Sequence, residues 1–193
     1  TRSPTVTGVQ TCALPIWDKM LGGPQIGVIA GRRAAVDRLR GHPVLRALRV
    51  DKMTLAAFEA TLRLYAKGDL DRIPTLAMLR RDPEAMRAQA RRLAAKLRRE
   101  TSARVEVVTV DDAAGGGSYP ASPLPGWGVA IGAHPAGGAG RLQALLRERE
   151  LPIVCGARED ALILHVRTLS RQDEGAVAEA FAQIESEEGK THA

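Results

Sequence analysis

The chain has 193 residues, of which 45% are hydrophobic and 3% aromatic, so it can bury a largely aliphatic core in one or two domains. Its 28 Lys and Arg exceed its 22 Asp and Glu, and the net charge of +6 favours contact with nucleic acids or phosphorylated molecules, although solvated helix faces have the same composition. No apolar run approaches the roughly 18 residues of a membrane span and no secretory signal pattern is present, so we expect a cytoplasmic protein that does not bind membranes.

Residues 1–17 differ in character from the rest of the chain. Val6–Ile16 reads VTGVQTCALPI, which a common sequencing adapter encodes when it is translated in frame. We therefore expect residues 1–17 to be non-native, with the native sequence starting at Asp18 inside a longer protein. Neither Cys12 nor Cys155 has His or Cys neighbours at metal-ligand spacing, which predicts neither a disulfide framework nor a metal site.

The first half of the native sequence predicts one short strand and several helices. Gly41-His42-Pro43 is a helix stop, and apolar residues recur at helical spacing after it. In chain order we predict a strand at Ile26–Ala30, a helix at Arg32–Arg40, a basic connector at Val44–Val50, a helix capped by Thr54 that runs to about Ala66, and a short helix at Pro74–Leu79.

The second half predicts an α+β layer. Asp82-Pro83-Glu84 is a helix start, because it combines a capping aspartate, a proline in the first turn and a glutamate. The predicted elements are a helix from there to about Arg99, strands at Arg104–Val110 and Trp127–Ile131, a helix at Arg141–Arg149, strands at Ile153–Cys155 and Leu162–Val166, and a helix at Asp173–Glu187. Between the first two strands we predict a flexible loop at Gly115–Ser118, followed by a proline-rich stretch to Pro125. The order αββαββα predicts an antiparallel sheet with helices on one face.

Lys19 is the first candidate for chemistry. A lysine amine is a nucleophile only when it is held close to its target and kept partly unprotonated, and the following Gly22-Gly23 pair lets the backbone approach a bound group closely. Such a lysine suits covalent attachment to an aldehyde cofactor. Taken alone, an exposed lysine before a turn is the simpler interpretation.

The wider sequence resembles a known family. Five strings carry the resemblance, in this order: DKMLGGPQIGVIAGRR, HPVLRALRVDKMTLAAFEATLRLY, IPTLAML, GGGSYP and VRTL. Together they resemble bacterial selenocysteine synthase, the L-seryl-tRNA(Sec) selenium transferase family. The resemblance begins at Asp18 and extends to about the end of the chain. It implies the end of a pyridoxal-phosphate-binding large domain of aminotransferase-like fold type I over 18–68, with a linker helix, and a small C-terminal α+β domain over 69–193.

The resemblance also implies roles for three residues. Lys19 would bind pyridoxal 5'-phosphate covalently and act in catalysis, and Arg46 and Arg49 would bind the phosphate-like group of selenophosphate. A pair of planar guanidinium groups suits a tetrahedral oxyanion. Without the resemblance, a solvated helix face is the simpler interpretation of the two arginines, whose spacing corresponds to one helical turn.

The family reaction converts L-seryl-tRNA(Sec) to L-selenocysteinyl-tRNA(Sec) through an aminoacrylyl-tRNA intermediate. The resemblance further implies a ring-shaped homodecamer, and cofactor-binding and tRNA-binding segments upstream of Asp18. We therefore expect this chain to be inactive alone. Two other interpretations stay open at this stage: a related lyase acting on a small amino acid or sugar acid, and a non-catalytic α+β remnant that binds RNA or a partner.

Overall fold

The computed structural model describes residues 12–13, 21–114, 119–132 and 134–191. The chain divides into two compact units, Thr1–Leu79 and Arg80–Ala193. The predicted domains, 18–68 and 69–193, refer to a complete enzyme and stay a prediction. Lys19 and the predicted loop residues Gly115–Ser118 lie outside the described residues.

The first unit is mainly helical. Its elements are β1 (Cys12–Ala13), β2 (Ala30–Gly31), α1 (Arg33–Arg40), α2 (Val44–Ala47), α3 (Lys52–Lys67), a 3-10 helix (Leu70–Arg72) and α4 (Pro74–Leu79). The predicted strand at Ile26–Ala30 is wrong for most of its length, because the ladder that the structure describes here pairs only Ala30–Gly31 with Cys12–Ala13. Strand propensity needs a neighbouring strand to pair with.

The N-terminal cap of helix α3 lies three residues before the predicted cap. The side chain of Asp51 accepts hydrogen bonds from the backbone of Met53 (2.7 Å) and Thr54 (3.0 Å), so Asp51 is the cap and the assignment to Thr54 is wrong. The Thr54 hydroxyl instead donates to Asp51 Oδ2 at 2.7 Å. These hydrogen bonds, that of the Thr54 side chain above all, lower the pKa of Asp51. The helix ends at Gly68, whose φ of 76° is the left-handed C-terminal geometry.

The second unit has the predicted order of elements. They are α5 (Pro83–Glu100), β3 (Val105–Ala114), β4 (Tyr119–Ile131), α6 (Ala139–Arg147), β5 (Gly156–Arg158), β6 (Ala161–His165), a 3-10 helix (Val166–Thr168) and α7 (Arg171–Thr191). The four strands form one antiparallel sheet in the order β3-β4-β6-β5. The predicted antiparallel α+β layer is therefore confirmed.

The core of this unit lies between the sheet and its three long helices. The predicted inward residues of α5 are all fully buried, and α6 and α7 bury Leu142, Leu146 and Phe181 in the same cluster. Alternate residues of β3, β4 and β6 meet them from the sheet. The buried α5 residues are Met86, Ala90, Leu93, Ala94 and Leu97. This burial fixes which face of α5 points to solvent.

Strand β4 is longer than the predicted strand Trp127–Ile131 and extends through the proline-rich stretch before it. Its Pro125 faces Asp111 of β3, whereas β6 pairs with β4 only from Gly128 to Ile131. The prolines therefore lie where β4 has a partner on one side, and a missing N–H is tolerated there.

The first strand of the β5–β6 hairpin begins three residues later than predicted, and the second begins one residue earlier. Ile153–Cys155 is not a strand, and pairing starts at Gly156 opposite Ile163. The turn uses Glu159 (φ 52°) and Asp160 (φ 62°), both left-handed, as a two-residue hairpin turn requires. Asp160 Oδ1 also accepts a hydrogen bond from Ala139 N at 3.2 Å, at the first residue of α6.

Glu185 of α7 ties that helix to the C-terminal end of α5. Its Oε1 accepts hydrogen bonds from Thr101 Oγ1 (2.7 Å) and from Ser102 N (2.6 Å), and it lies 3.1 Å from His134 Nε2. Burial alone would raise the pKa of Glu185, but these hydrogen bonds outweigh burial and lower it.

Candidate functional site

The backbone that directly follows Lys19 is held by two contacts within the first unit. Tyr65 of α3 donates its hydroxyl to the Leu21 carbonyl at 2.9 Å, and burial raises the pKa of Tyr65, which keeps the phenol a donor. Gly22 has a φ of 69°, and a Cβ at this position would overlap the Cγ2 methyl of Ile73. Only glycine fits both constraints. Lys19 itself lies outside the described residues, so its role stays a prediction.

The two predicted anion-binding arginines, Arg46 and Arg49, are both exposed. Arg46 lies in the single turn of α2, and Arg49 lies two residues beyond the end of that helix, so a continuous helical face does not carry both. In the part of the chain that the structure describes, neither guanidinium group has a hydrogen bond or ion pair with another residue. Both groups are therefore available to a ligand, and their predicted role is untested.

Two capping groups determine where the arginine segment begins and ends. His42 Nδ1 accepts a hydrogen bond from Val44 N at 3.3 Å at the start of α2, and the Asp51 cap begins α3 two residues after Arg49. The segment that carries both arginines is therefore held at its two ends by side-chain capping groups.

Sequence reasoning missed a buried ionic cluster in the second unit. Asp112 of β3 lies 2.7 Å from His165 Nδ1 and accepts a hydrogen bond from Arg167 Nε at 2.6 Å, while Arg167 Nη2 donates to the Pro125 carbonyl at 2.7 Å. The side chains of Asp112 and Arg167 are 9% and 8% exposed. Gly126 borders the cluster, and a Cβ there would lie 2.5 Å from Asp112 Oδ2. The signal in the sequence was the string VRTL, which contains Arg167.

A second arginine, Arg81, contacts the segment between β6 and α7 that carries Arg167. Arg81 Nη1 donates to the carbonyls of Val166 (2.7 Å) and Arg167 (3.0 Å), and its Nη2 donates to Gln89 Oε1. These hydrogen bonds satisfy carbonyls of the 3-10 helix that follows β6. The cluster therefore stabilises the segment between β6 and α7. The buried guanidinium group of Arg167 already has partners within the protein.

A cavity of about 460 Å³ opens beside this cluster. Its lining includes His165, Arg167 and Cys155. Cys155 is partly buried against the core, and this burial raises the pKa of its thiol to about 11, so the thiol is a poor nucleophile at neutral pH. No group of three or more His, Cys, Asp or Glu residues within the described ranges could hold a metal ion. No helix in the described ranges is both long and apolar enough to cross a bilayer.

The fold belongs to the mixed α/β class with an antiparallel sheet. A solved structure of D-glucosaminate-6-phosphate ammonia-lyase matches 88% of this chain and 42% of its own, with a TM-score of 0.54 and 16% sequence identity. At that identity the likeness concerns the fold alone.

Sequence comparison identifies the family. The model of the family described as SelA, L-seryl-tRNA selenium transferase, matches residues 6–170. Proteins named L-seryl-tRNA(Sec) selenium transferase are similar to this chain: that of Moorella thermoacetica is 44% identical over 179 residues, covering 91% of this chain and 37% of the relative. That of Geobacter sulfurreducens is 41% identical (88% and 37% covered) and that of Aquifex aeolicus is 37% identical (86% and 37% covered). The chain belongs to the L-seryl-tRNA selenium transferase family, which confirms the resemblance.

Two limits of the match matter for function. The chain spans about 37% of the length of the curated relatives that it matches. The family match begins at residue 6, inside the segment predicted to be non-native, so the foreign origin of residues 1–17 stays a prediction.

Proposed function

We propose that the protein to which this chain corresponds converts L-seryl-tRNA(Sec) to L-selenocysteinyl-tRNA(Sec) with selenophosphate as selenium donor, and that it does so with pyridoxal 5'-phosphate on a fold type I large domain. The observation that carries the proposal is the match of residues 6–170 to the selenium transferase family. The free guanidinium groups of Arg46 and Arg49 support it, because a selenium donor with a phosphate group needs cationic partners.

The residues present fit part of a site for pyridoxal phosphate. Lys19 supplies an amine for the aldehyde, and the next backbone segment is held by the Tyr65 hydroxyl and by the packing of Gly22 on Ile73. When bound, the cofactor withdraws electrons from the substrate Cα and so makes the Cα proton acidic. The acid that pairs with the ring nitrogen and most of the phosphate-binding groups are expected from sequence that the relatives have upstream.

In the proposed reaction, Lys19, Arg46 and Arg49 act directly on the substrates. The Nζ of Lys19 takes the Cα proton of the seryl group as general base. Arg46 and Arg49 bind the oxyanion of selenophosphate and hold its selenium near the seryl β-carbon. The Asp51 cap and the His42 turn restrict the backbone on both sides of these arginines, which lowers the entropy lost when they bind an anion.

The chain alone should have no turnover, because it corresponds to 37% of its relatives' length. We therefore propose a test in a chimaera that joins residues 18–193 to the upstream part of the Moorella thermoacetica relative. Arg46→Gln should reduce selenium transfer by about 10- to 100-fold, the worth of one or two charge-assisted hydrogen bonds, and should leave cofactor absorbance intact. Arg38→Gln, an exposed and unpaired arginine of α1, is the matched control.

Three outcomes are informative. Lys19→Ala should remove both cofactor absorbance and selenium transfer. Equal activity of Arg46→Gln and Arg38→Gln would show that Arg46 does not bind the selenium donor. Turnover of a small amino acid with none on seryl-tRNA would replace the transferase by the lyase interpretation. Sedimentation of the chimaera tests the proposed homodecamer.

A further inference from the structure

A basic groove lies between α5 and α7 of the second unit, whereas the residues proposed for catalysis belong to the first unit. Its volume is about 440 Å³, and four of its six lining residues are cations. We propose that this groove binds the sugar-phosphate backbone of RNA, and that in the full-length protein the RNA is the tRNA substrate. The second half of this inference rests on the proposed function. The lining residues are Arg92, Ala95, Lys96, Arg99, Arg171 and Glu174.

The core of the unit fixes the direction of the α5 cations. Arg92, Lys96 and Arg99 are spaced i, i+4 and i+7, which places them in one stripe about 10 Å long. The opposite side of the same turns is fully buried through Leu93 and Leu97. The stripe therefore faces solvent in any state in which the core is intact, and it is a fixed feature of the surface rather than a set of independent side chains.

Most of this positive charge is not neutralised by the protein. Within the described part of the chain, Lys96, Arg99 and Arg171 have no ion pair or side-chain hydrogen bond. The contrast is with Arg98, also on α5, whose guanidinium group donates twice to the Val105 carbonyl at 3.1 and 2.8 Å. Arg98 thus contributes to the fold through the backbone, whereas Lys96, Arg99 and Arg171 of the groove are free for a ligand within the described ranges.

Glu174 is the one acidic residue of the groove lining, and its surroundings are unusual. The residue is 5% exposed, its Oε1 has no hydrogen-bond partner, and that atom lies 3.7 Å from Arg92 Nη2. A buried carboxyl group without a hydrogen bond is costly unless nearby positive charge compensates it. Arg92 supplies that nearby positive charge, and the groove lining as a whole contains four cations against this one acidic residue.

The shape and chemistry of the groove favour a repeated polyanion. The α5 cations lie in a row along one helix, which matches successive phosphates better than a single small anion. The groove lining contains no aromatic side chain, so base stacking is not expected and binding should depend on the backbone and on salt.

The test uses the 193-residue chain and an unmodified tRNA(Sec) transcript, with binding measured by fluorescence anisotropy between about 50 and 300 mM KCl. The triple variant Arg92→Gln/Lys96→Gln/Arg99→Gln should weaken binding by at least tenfold and should reduce the slope of log K against log salt by about 2 to 3, the value for three lost phosphate contacts. The matched control is Arg141→Gln/Arg147→Gln/Arg158→Gln, which removes three exposed charges from α6 and β5.

A substitution in the opposite direction separates a charge effect from a folding effect. Glu174→Gln keeps the shape of the side chain and removes the negative charge of the groove, so transcript binding should tighten by about threefold or more and the salt slope should steepen. A purely structural role of Glu174 would lower the urea midpoint without strengthening binding.

The proposal is overturned if the chain does not bind the transcript, if the control triple variant weakens binding as much as the groove variant, or if Glu174→Gln fails to strengthen it. Competition by poly-glutamate as effective as that by the transcript would assign the groove to an acidic protein partner instead. None of these measurements needs catalysis. Failure of the groove therefore leaves the transferase proposal standing, and an inactive chimaera leaves the groove result standing.

Discussion

Asp112→Asn should be the most destabilising conservative change in the second unit. The Asp112 carboxylate contacts both His165 and Arg167, and the Arg167 guanidinium, whose side chain is 8% exposed, would lose its charged partner at 2.6 Å. Breaking a buried ion pair from one side costs about 3–5 kcal/mol, because the remaining charge stays buried. We take about 3 kcal/mol here, since the asparagine carbonyl can still accept one hydrogen bond.

That loss corresponds to a large shift in a urea titration. With a slope of about 1.5–2 kcal/mol per M, a loss of about 3 kcal/mol lowers the midpoint by about 1.5–2 M. The chain has two tryptophans, so a Trp17→Phe background leaves Trp127 of β4 as a single fluorescent probe on the affected sheet.

Two variants complete the test of this buried pair. Asp111→Asn changes the neighbouring, exposed aspartate and should cost less than about 0.5 kcal/mol. The double variant Asp112→Leu/Arg167→Met removes both charges and should recover most of the stability lost in Asp112→Asn. The reasoning is refuted if Asp112→Asn and Asp111→Asn have the same midpoint.

Three further outcomes are expected. Gly126→Ala should cost about 1–3 kcal/mol in urea titrations, because its Cβ would lie 2.5 Å from Asp112 Oδ2. In a Cys12→Ser background, Cys155 should react with iodoacetamide at pH 8 on the order of 100-fold more slowly than free cysteine, since its pKa is about 11. The pKa of Glu185 is lowered in the folded state, so its carboxylate should stabilise the fold above its usual pKa of 4.5. That contribution should be lost as the pH falls through the folded pKa. In Glu185→Gln, the urea midpoint should therefore depend less on pH between about pH 3 and 6.

Each of these outcomes can fail in a defined way. An unchanged midpoint for Gly126→Ala would mean that the Asp112 carboxylate does not lie against that glycine. Alkylation of Cys155 at the rate of free cysteine in the folded protein would contradict its burial. An acid dependence that survives in Glu185→Gln would assign the stability change to other carboxyl groups, and Glu179→Gln, an exposed glutamate of the same helix, is the control.

The α+β layer of the second unit was predictable because its signals are local. The Asp82-Pro83-Glu84 start of α5 and the apolar spacing that followed it are read within one helix, and the Asp82 side chain caps Ala85 N at 2.7 Å as expected. The errors arose where the answer depends on a neighbour. Whether Pro125 is tolerated in β4 depends on how far β6 extends alongside β4. The length of that pairing cannot be predicted from the sequence of β4 alone.

The candidate site also has residues that the sequence indicates and residues that only the folded structure brings together. The resemblance singled out Arg46 and Arg49, but no local pattern distinguishes them from the other exposed arginines. The cluster of Asp112, His165 and Arg167 joins positions 53 and 55 residues apart, so it exists only once the registers of β3, β4 and β6 are known. Asp112 and Arg167 lie just beyond the ends of the predicted strands Arg104–Val110 and Leu162–Val166, so the one available signal was the string VRTL, which contains Arg167.

The β5–β6 turn restricts how this part of the sequence can vary. Asp160 adopts a left-handed conformation that glycine would adopt more readily, yet its carboxylate also binds Ala139 N, and a Cβ on Gly138 would lie 2.7 Å from that carboxylate. Replacement of Asp160 by glycine would relax the hairpin and remove a hydrogen bond from the start of α6. Positions 138 and 160, 22 residues apart, should therefore change together among homologues, with asparagine the most readily exchanged alternative at 160.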